Sequence, residues 1–211
     1  MNVRKMISCV LMMTLLLTGC GKSEADNPDH LASLIRAEYL ALTGWSAVTE
    51  LTADYGEQVF DFTVKASWER DGDTVLTVVE PELIAGITAR IRDGETLLEY
   101  DGMGLSLGML DLSGITPVSS IPALMDCITT GYMARCSWLG EGEQRELTVL
   151  CRDPNAPPDS GVEYLLYFDP VAHALKRAEV SVDGVLRLTA RFTEFTLEMT
   201  DDEAGTDENL G

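Results

Sequence analysis

Over much of the chain beyond Gly56, hydrophobic and polar residues alternate. Between Val59 and Glu69, Phe60, Phe62, Val64, Ala66 and Trp68 fall on one side of a two-residue period, with Asp61, Thr63, Lys65 and Ser67 on the other. That is the pattern of a half-buried strand. Asp71-Gly72 predicts a two-residue hairpin turn, which sets Trp68 opposite Val75 and Val64 opposite Val79. Asp93-Gly94 repeats the device, pairing Ile91 with Thr96, Ala89 with Leu98 and Ile87 with Tyr100, and bringing Arg92 against Glu95. Further strands are predicted over Tyr132–Leu139 and Arg145–Cys151, turning at Glu141-Gly142, and over the apolar run Val162–Phe168. A last hairpin, Leu175–Leu197, turns at Asp183-Gly184. In simple register it puts Arg177 and Glu179 on the side of Leu186, Leu188 and Phe192, so either a bulge shifts the pairing or that face lines something partly polar. "GMGLSLG" (Gly102–Gly108) reads as a short bulged strand, and "DPNAPPDSG" (Asp153–Gly161) as a loop.

Two segments carry the helical period. Asn27-Pro28-Asp29 supplies a cap, a proline at the first helical position and an acid in the first turn. Leu31, Leu34, Ile35 and Leu42 form its stripe, Tyr39 and Trp45 add aromatic bulk, and Gly44 is a natural C-terminal cap. Ser120 caps a second helix over Ile121–Thr130, which Gly131 ends. About nine strands in meander order with two helices, and no strand–helix–strand rhythm, give an α+β fold. The expected architecture is a strongly curved antiparallel sheet, a half-open β-barrel, with the helices covering its concave face. An apolar slot then lies between Phe60, Phe62, Val64, Trp68, Ile87, Ala89, Leu98 and Tyr100 on the sheet and Ile121, Leu124, Met125 and Ile128 on the helix. Those side chains either line a ligand cavity or fill the space as core.

The first residues follow a different logic. Arg4 and Lys5 precede an apolar run, Ile7–Leu17, too short to span a membrane, and Leu17-Thr18-Gly19-Cys20 follows. This resembles the bacterial lipobox. The resemblance implies removal of a signal peptide, residues 1–19, and a diacylglyceryl or further acyl lipid (palmitate is representative) on Cys20. Multiple acyl chains make a stable membrane anchor. Residues 20–27 read as the lipidated cysteine and a polar tether, 28–198 as the folded domain and 199–211 as an acidic, disordered tail. The chain is expected outside the cytoplasm, on the outer face of the plasma membrane in a single-membraned cell, with a spore or outer membrane as alternatives.

Charge narrows the partners. The formal net charge is −20 over 211 residues, and loss of the leader, whose only charges are Arg4 and Lys5, leaves −22. Nucleic acid is excluded as a partner, since phosphate binding needs a basic footprint. Scattered lysines and arginines form no patch for anionic headgroups. Cys127, Cys136 and Cys151 cannot all pair internally, and their spacing does not suggest zinc. One disulfide with a free thiol and three buried thiols both remain open, and their apolar pattern positions favour buried thiols.

Catalytic motifs are missing. There is no GxSxG, HExxH, Walker loop or GxGxxG after a strand. His30 falls in the first helical turn and His173 in "DPVAHAL", where a surface turn role is expected. Arg135 and Arg152 adjoin Cys136 and Cys151, but adjacent strand residues point to opposite faces. No enzyme activity, metal or cofactor is expected beyond the lipid on Cys20.

"VVEPELIAGITARIRDGETLLEYDG" (Val78–Gly102) and "YLLYFDPVAHALKRAEVSVDG" (Tyr164–Gly184), with the leader and the helix "HLASLIRAEYLALTGWSA", carry a resemblance. Over roughly Leu31–Leu197 the chain resembles the LolA/LolB/RseB-like lipoprotein-carrier superfamily, and especially the small lipoproteins of that fold found in spore-forming bacteria. The resemblance implies a half-open barrel lidded by helices, with an apolar cavity for acyl chains. It maps no ligand-contacting residue onto this chain. The functional expectation is a membrane-anchored, non-enzymatic envelope lipoprotein binding a lipid, acyl chain or acylated peptide. The alternative is a filled-core scaffold or regulator of another envelope protein, in sporulation or germination.

Overall fold

The computed structural model describes residues 26–109 and 116–199. The expected leader, Cys20 and nearly all of the tether lie outside those residues, as does the acidic tail beyond Met199. The domain opens as anticipated with α1 (Pro28–Ala41): Asn27 is extended, and its side chain accepts from the Asp29 N–H at 3.0 Å. The helix stops earlier than expected. Gly44 is not its cap but the first residue of β1 (Gly44–Asp54), in which Trp45, Ala47, Thr49, Leu51 and Ala53 are all buried. The last carbonyls of α1 are satisfied from elsewhere. Arg70 donates to Ala41 and Leu42, each at 2.7 Å.

The remaining strands are β2 (Val59–Glu69), β3 (Thr74–Glu80), β4 (Thr88–Arg92), β5 (Glu95–Tyr100), β6 (Met103–Met109), β7 (Met133–Leu139), β8 (Glu146–Arg152), β9 (Val162–Phe168), β10 (Leu175–Val182) and β11 (Val185–Glu198). They form one open, curved, antiparallel sheet of eleven strands in the order β6-β5-β4-β3-β2-β1-β11-β10-β9-β8-β7. The first strand therefore lies at the centre, beside the last, and mid-chain strands form both edges. The second helix, α2 (Pro117–Thr129), lies in the connection between those edges. Both helices and the sheet bury one continuous apolar cluster, from Val64 and Ala89 to Leu147 and Val149.

Registers follow the turn chemistry. Asp93-Gly94, Asp101-Gly102 and Asp183-Gly184 all adopt positive φ, the conformation of a tight two-residue hairpin. Ile91↔Thr96, Ala89↔Leu98 and Arg92↔Glu95 pair as expected, although Arg92 makes its ion pair with Asp73. Ile87 precedes β4 and does not join the ladder with Tyr100. The β2–β3 register differs by one residue: Trp68 faces Thr74 and Val64 faces Val78. Asp71 and Gly72 stay out of the left-handed region: the turn is instead Glu69–Gly72, closed by the Gly72 N–H on the Glu69 carbonyl at 2.9 Å, and Arg70 within it also bonds to Thr43 and to the end of α1. In the last hairpin a bulge between Val180 and Ser181 resolves the mismatch, placing Val180 opposite Leu188 on the core side. Ser120 is not the cap of α2. Thr116 is, in a reciprocal capping box with Ser119, and Ser120 is buried inside the helix.

Candidate functional site

The sheet's inner face can be followed by register. Trp45, Ala47, Thr49, Leu51 and Ala53 face Trp68, Ala66, Val64, Phe62 and Phe60 in turn. Val64 and Ala66 continue to Val78 and Leu76, Leu76 to Ala89, Ala89 to Leu98, and Leu98 to Leu105 at the β6 edge. Side-chain alternation is what delivers these residues to one face.

That face divides into three zones. Val64 and Ala89 on the sheet, and Ile121, Leu124 and Ile128 on α2, are fully buried in the common core and meet one another there. Trp68 and Met125 line a cavity of about 210 Å³ together with Tyr39, Leu42, Trp45 and Pro122, with Thr74, Asp126 and Thr129 supplying its polar groups. Its wall is braced by aromatic packing: the Phe195 ring lies near-parallel to Tyr39 and Trp45, with centroids 6.2 and 6.4 Å apart. The Tyr39 hydroxyl accepts from the Leu175 N–H at 3.2 Å and donates to the His173 carbonyl at 3.1 Å. Burial pushes its ionisation upward, so it stays neutral.

The third zone is uncovered. Phe62, Ile87 and Leu98 are half-buried, while Phe60 is 42% and Tyr100 48% exposed. Met103 and Leu105, which pair with Tyr100 and Leu98, are 70% and 61% exposed. Helix α1 packs chiefly against β7 and β8, so neither helix closes over this wing. The twelve slot residues expected from sequence, eight towards the sheet and four on α2, therefore do not share one environment. Sequence reasoning missed Met103 and Leu105, whose alternation with Gly104 and Ser106 was the available signal, and Phe195 in the cavity wall.

Titratable groups near these zones serve structure. His173, at φ 55°, sits in a turn with its Nδ1 2.6 Å from Glu38 Oε2. His30 is exposed. Among the described residues no group of three or more metal-ligating side chains is assembled, and no helix is long and apolar enough to cross a membrane. Cys127, Cys136 and Cys151 are all free thiols, the first and last buried and Cys136 half-buried.

No family model matches the chain, and no curated protein matches it. Solved structures similar to it include an uncharacterized conserved protein from Thermus thermophilus, at 11% identity and TM-score 0.47 over 82% of this chain and 89% of that one. A LolA superfamily protein from Nitrosomonas europaea is similar at 9% identity and TM-score 0.42, over 83% and 94%. A chain in the complex of the CwlD amidase from Clostridioides difficile with the GerS lipoprotein is similar at 11% identity and TM-score 0.41, over 81% and 95%. The superfamily that the sequence resembles is thus represented among them. At these identities and scores the likenesses assign no residue, and the fold rests on the strand order and registers above.

Proposed function

We propose that this protein is a non-enzymatic envelope lipoprotein, anchored through a lipid on Cys20, that binds a hydrophobic ligand on the inner face of its sheet. One observation carries this reading. On one face of the sheet, the surface passes from buried Val64 to exposed Phe60 along β2, and from buried Ala89 on β4 across Leu98 to exposed Tyr100, Met103 and Leu105 on β5 and β6, without becoming polar. An exposed apolar face of this kind marks an interaction site rather than a solvated surface. The half-open cavity of about 210 Å³ is smaller than the ~300–1,000 Å³ of ordinary small-molecule pockets. That cavity is therefore tight for a compact ligand, and an extended acyl chain lying on the wing fits better. The test is photo-crosslinking of the full chain with a diazirine-bearing palmitate, followed by peptide mapping. Label in peptides spanning Phe60–Trp68 and Leu98–Leu105 supports the site. Label confined to the first 27 residues rejects it.

A second reading, a scaffold for another envelope protein, is favoured by the β6 edge. All seven residues of that strand are exposed, with no charge or proline to blunt pairing. Partner capture that is lost in high salt would point to the acidic surface, whereas salt-insensitive capture would point to the edge.

A further inference from the structure

Cys127 lies in the last turn of α2, and its side chain is directed into the core. Cys151 lies on the core face of β8, with Leu147 and Val149 on the same side. The Cys151 thiol is directed at residue 127 and donates to its carbonyl oxygen at 3.9 Å. Nothing in the proposed ligand site uses this pair. We propose that Cys127 and Cys151 form a disulfide site that joins α2 to β8, with Cys136 left as a free thiol.

Contact selects this pair among the three possible pairings: Cys151 reaches residue 127, whereas Cys136 stands opposite Val149 in the β7–β8 ladder. Cys136 is held protonated by burial and by the Asp29 carboxylate, its ionisation pushed up to about 12. Cys151 moves the other way, through the influence of the neighbouring Cys127 thiol and of the Arg36 guanidinium. Arg36 is fixed there by bonds to the carbonyls of Ile128 at 2.8 Å and Cys127 at 3.4 Å. Cys151 is therefore the nucleophile, since the thiolate is the reactive form. Its thiolate attacks one sulfur of an external disulfide, forming a mixed disulfide and releasing one thiolate. Cys127 then loses its proton and attacks the Cys151 sulfur, releasing the second. The protein dithiol is oxidised, the external disulfide is reduced to two thiols, and the two protons pass to them or to solvent. An exported protein meets such oxidants. The bond also fixes α2, which carries Pro122 and Met125 into the cavity wall.

Both thiols are buried, so the experiment refolds the full chain from urea in a buffer of reduced and oxidised glutathione, where access is not limiting. Free thiols are then blocked with N-ethylmaleimide under denaturing conditions and the digest is mapped by mass. The expected product is one cross-linked peptide pair joining Cys127 and Cys151, lighter by about 2 Da than the reduced pair, with the blocking group on Cys136. C136S should give the same cross-link at the same yield. Blocking groups on each of Cys127, Cys136 and Cys151, or a link that includes Cys136, would overturn the proposal.

Discussion

At the scale of single residues, Glu146 and Asp169 are carboxylates that the fold holds charged. Burial of Glu146 opposes its ionisation, but Lys176 at 2.7 Å and Arg177 at 3.3 Å outweigh it and bring the carboxyl below its ordinary value. Asp169 is lowered chiefly by the backbone N–H groups of Ala172 and Val171, which donate to Oδ1 at 2.9 and 2.8 Å in the turn before β10. Both folded-state values lie below those of the unfolded chain. Their stabilisation is therefore complete above the unfolded values of about 4 and is lost as pH falls through the folded ones. Both sites are near the surface, which limits each effect to about 1 kcal/mol or less. Urea midpoints measured at pH 7 and pH 3 should fall less in E146Q and D169N than in the parent. Equal falls in all three would mean that other groups set the acid sensitivity. The Asn variant retains an acceptor for the two N–H groups, so it removes the titration without dismantling the turn.

The elements are held at their ends by arginines from other parts of the chain. Neither helix has a basic residue in its own last turn. Arg70 closes α1, and Arg36, from α1, closes α2 through the carbonyls of Ile128, Cys127 and Gly131, the last at 2.5 Å. Hydrogen bonds from a charged donor to partly buried carbonyls are among the stronger ones. R36A should therefore destabilise the domain by about 2–3 kcal/mol in urea unfolding. A loss below about 0.5 kcal/mol would show that water replaces the guanidinium. T116A, which breaks the capping box of α2, should cost about 1 kcal/mol. These long-range caps were invisible in the sequence, whereas local ones were legible: Asn27 before α1 and the Asp-Gly turns at 93–94 and 183–184. Where a distant partner intervened, local reading slipped. The β2–β3 register shifts by one residue at the turn in which Arg70 reaches across to α1. The strand β1 was hidden because its buried positions include Ala47, Thr49 and Ala53, small or polar residues that weaken the alternation.

At the scale of the whole molecule, the strand order explains why the candidate site was only half legible. Periodicity assigned Phe60–Trp68 and Ile121–Ile128 to inward faces, but it carries no information on which inward residues a second layer covers. Coverage follows from topology: α1 packs towards β7 and β8, and the β5–β6 wing at the other edge is left bare. Residues that look equivalent in sequence should therefore answer differently to substitution. Leu124 is fully buried, and L124A should cost about 2–5 kcal/mol in unfolding free energy through lost burial and the cavity left behind. Leu105 is exposed at the edge, so L105K should leave stability within about 0.5 kcal/mol. The same substitution places an ammonium group on the apolar wing, and it should strongly reduce cross-linking of diazirine-bearing palmitate to the Leu98–Leu105 peptide. Loss of labelling with an unchanged unfolding midpoint would separate ligand binding from folding at this face. Labelling that survives L105K, but falls in a variant narrowing the Trp68–Met125 cavity, would move the ligand inward from the wing to the cavity beside α2.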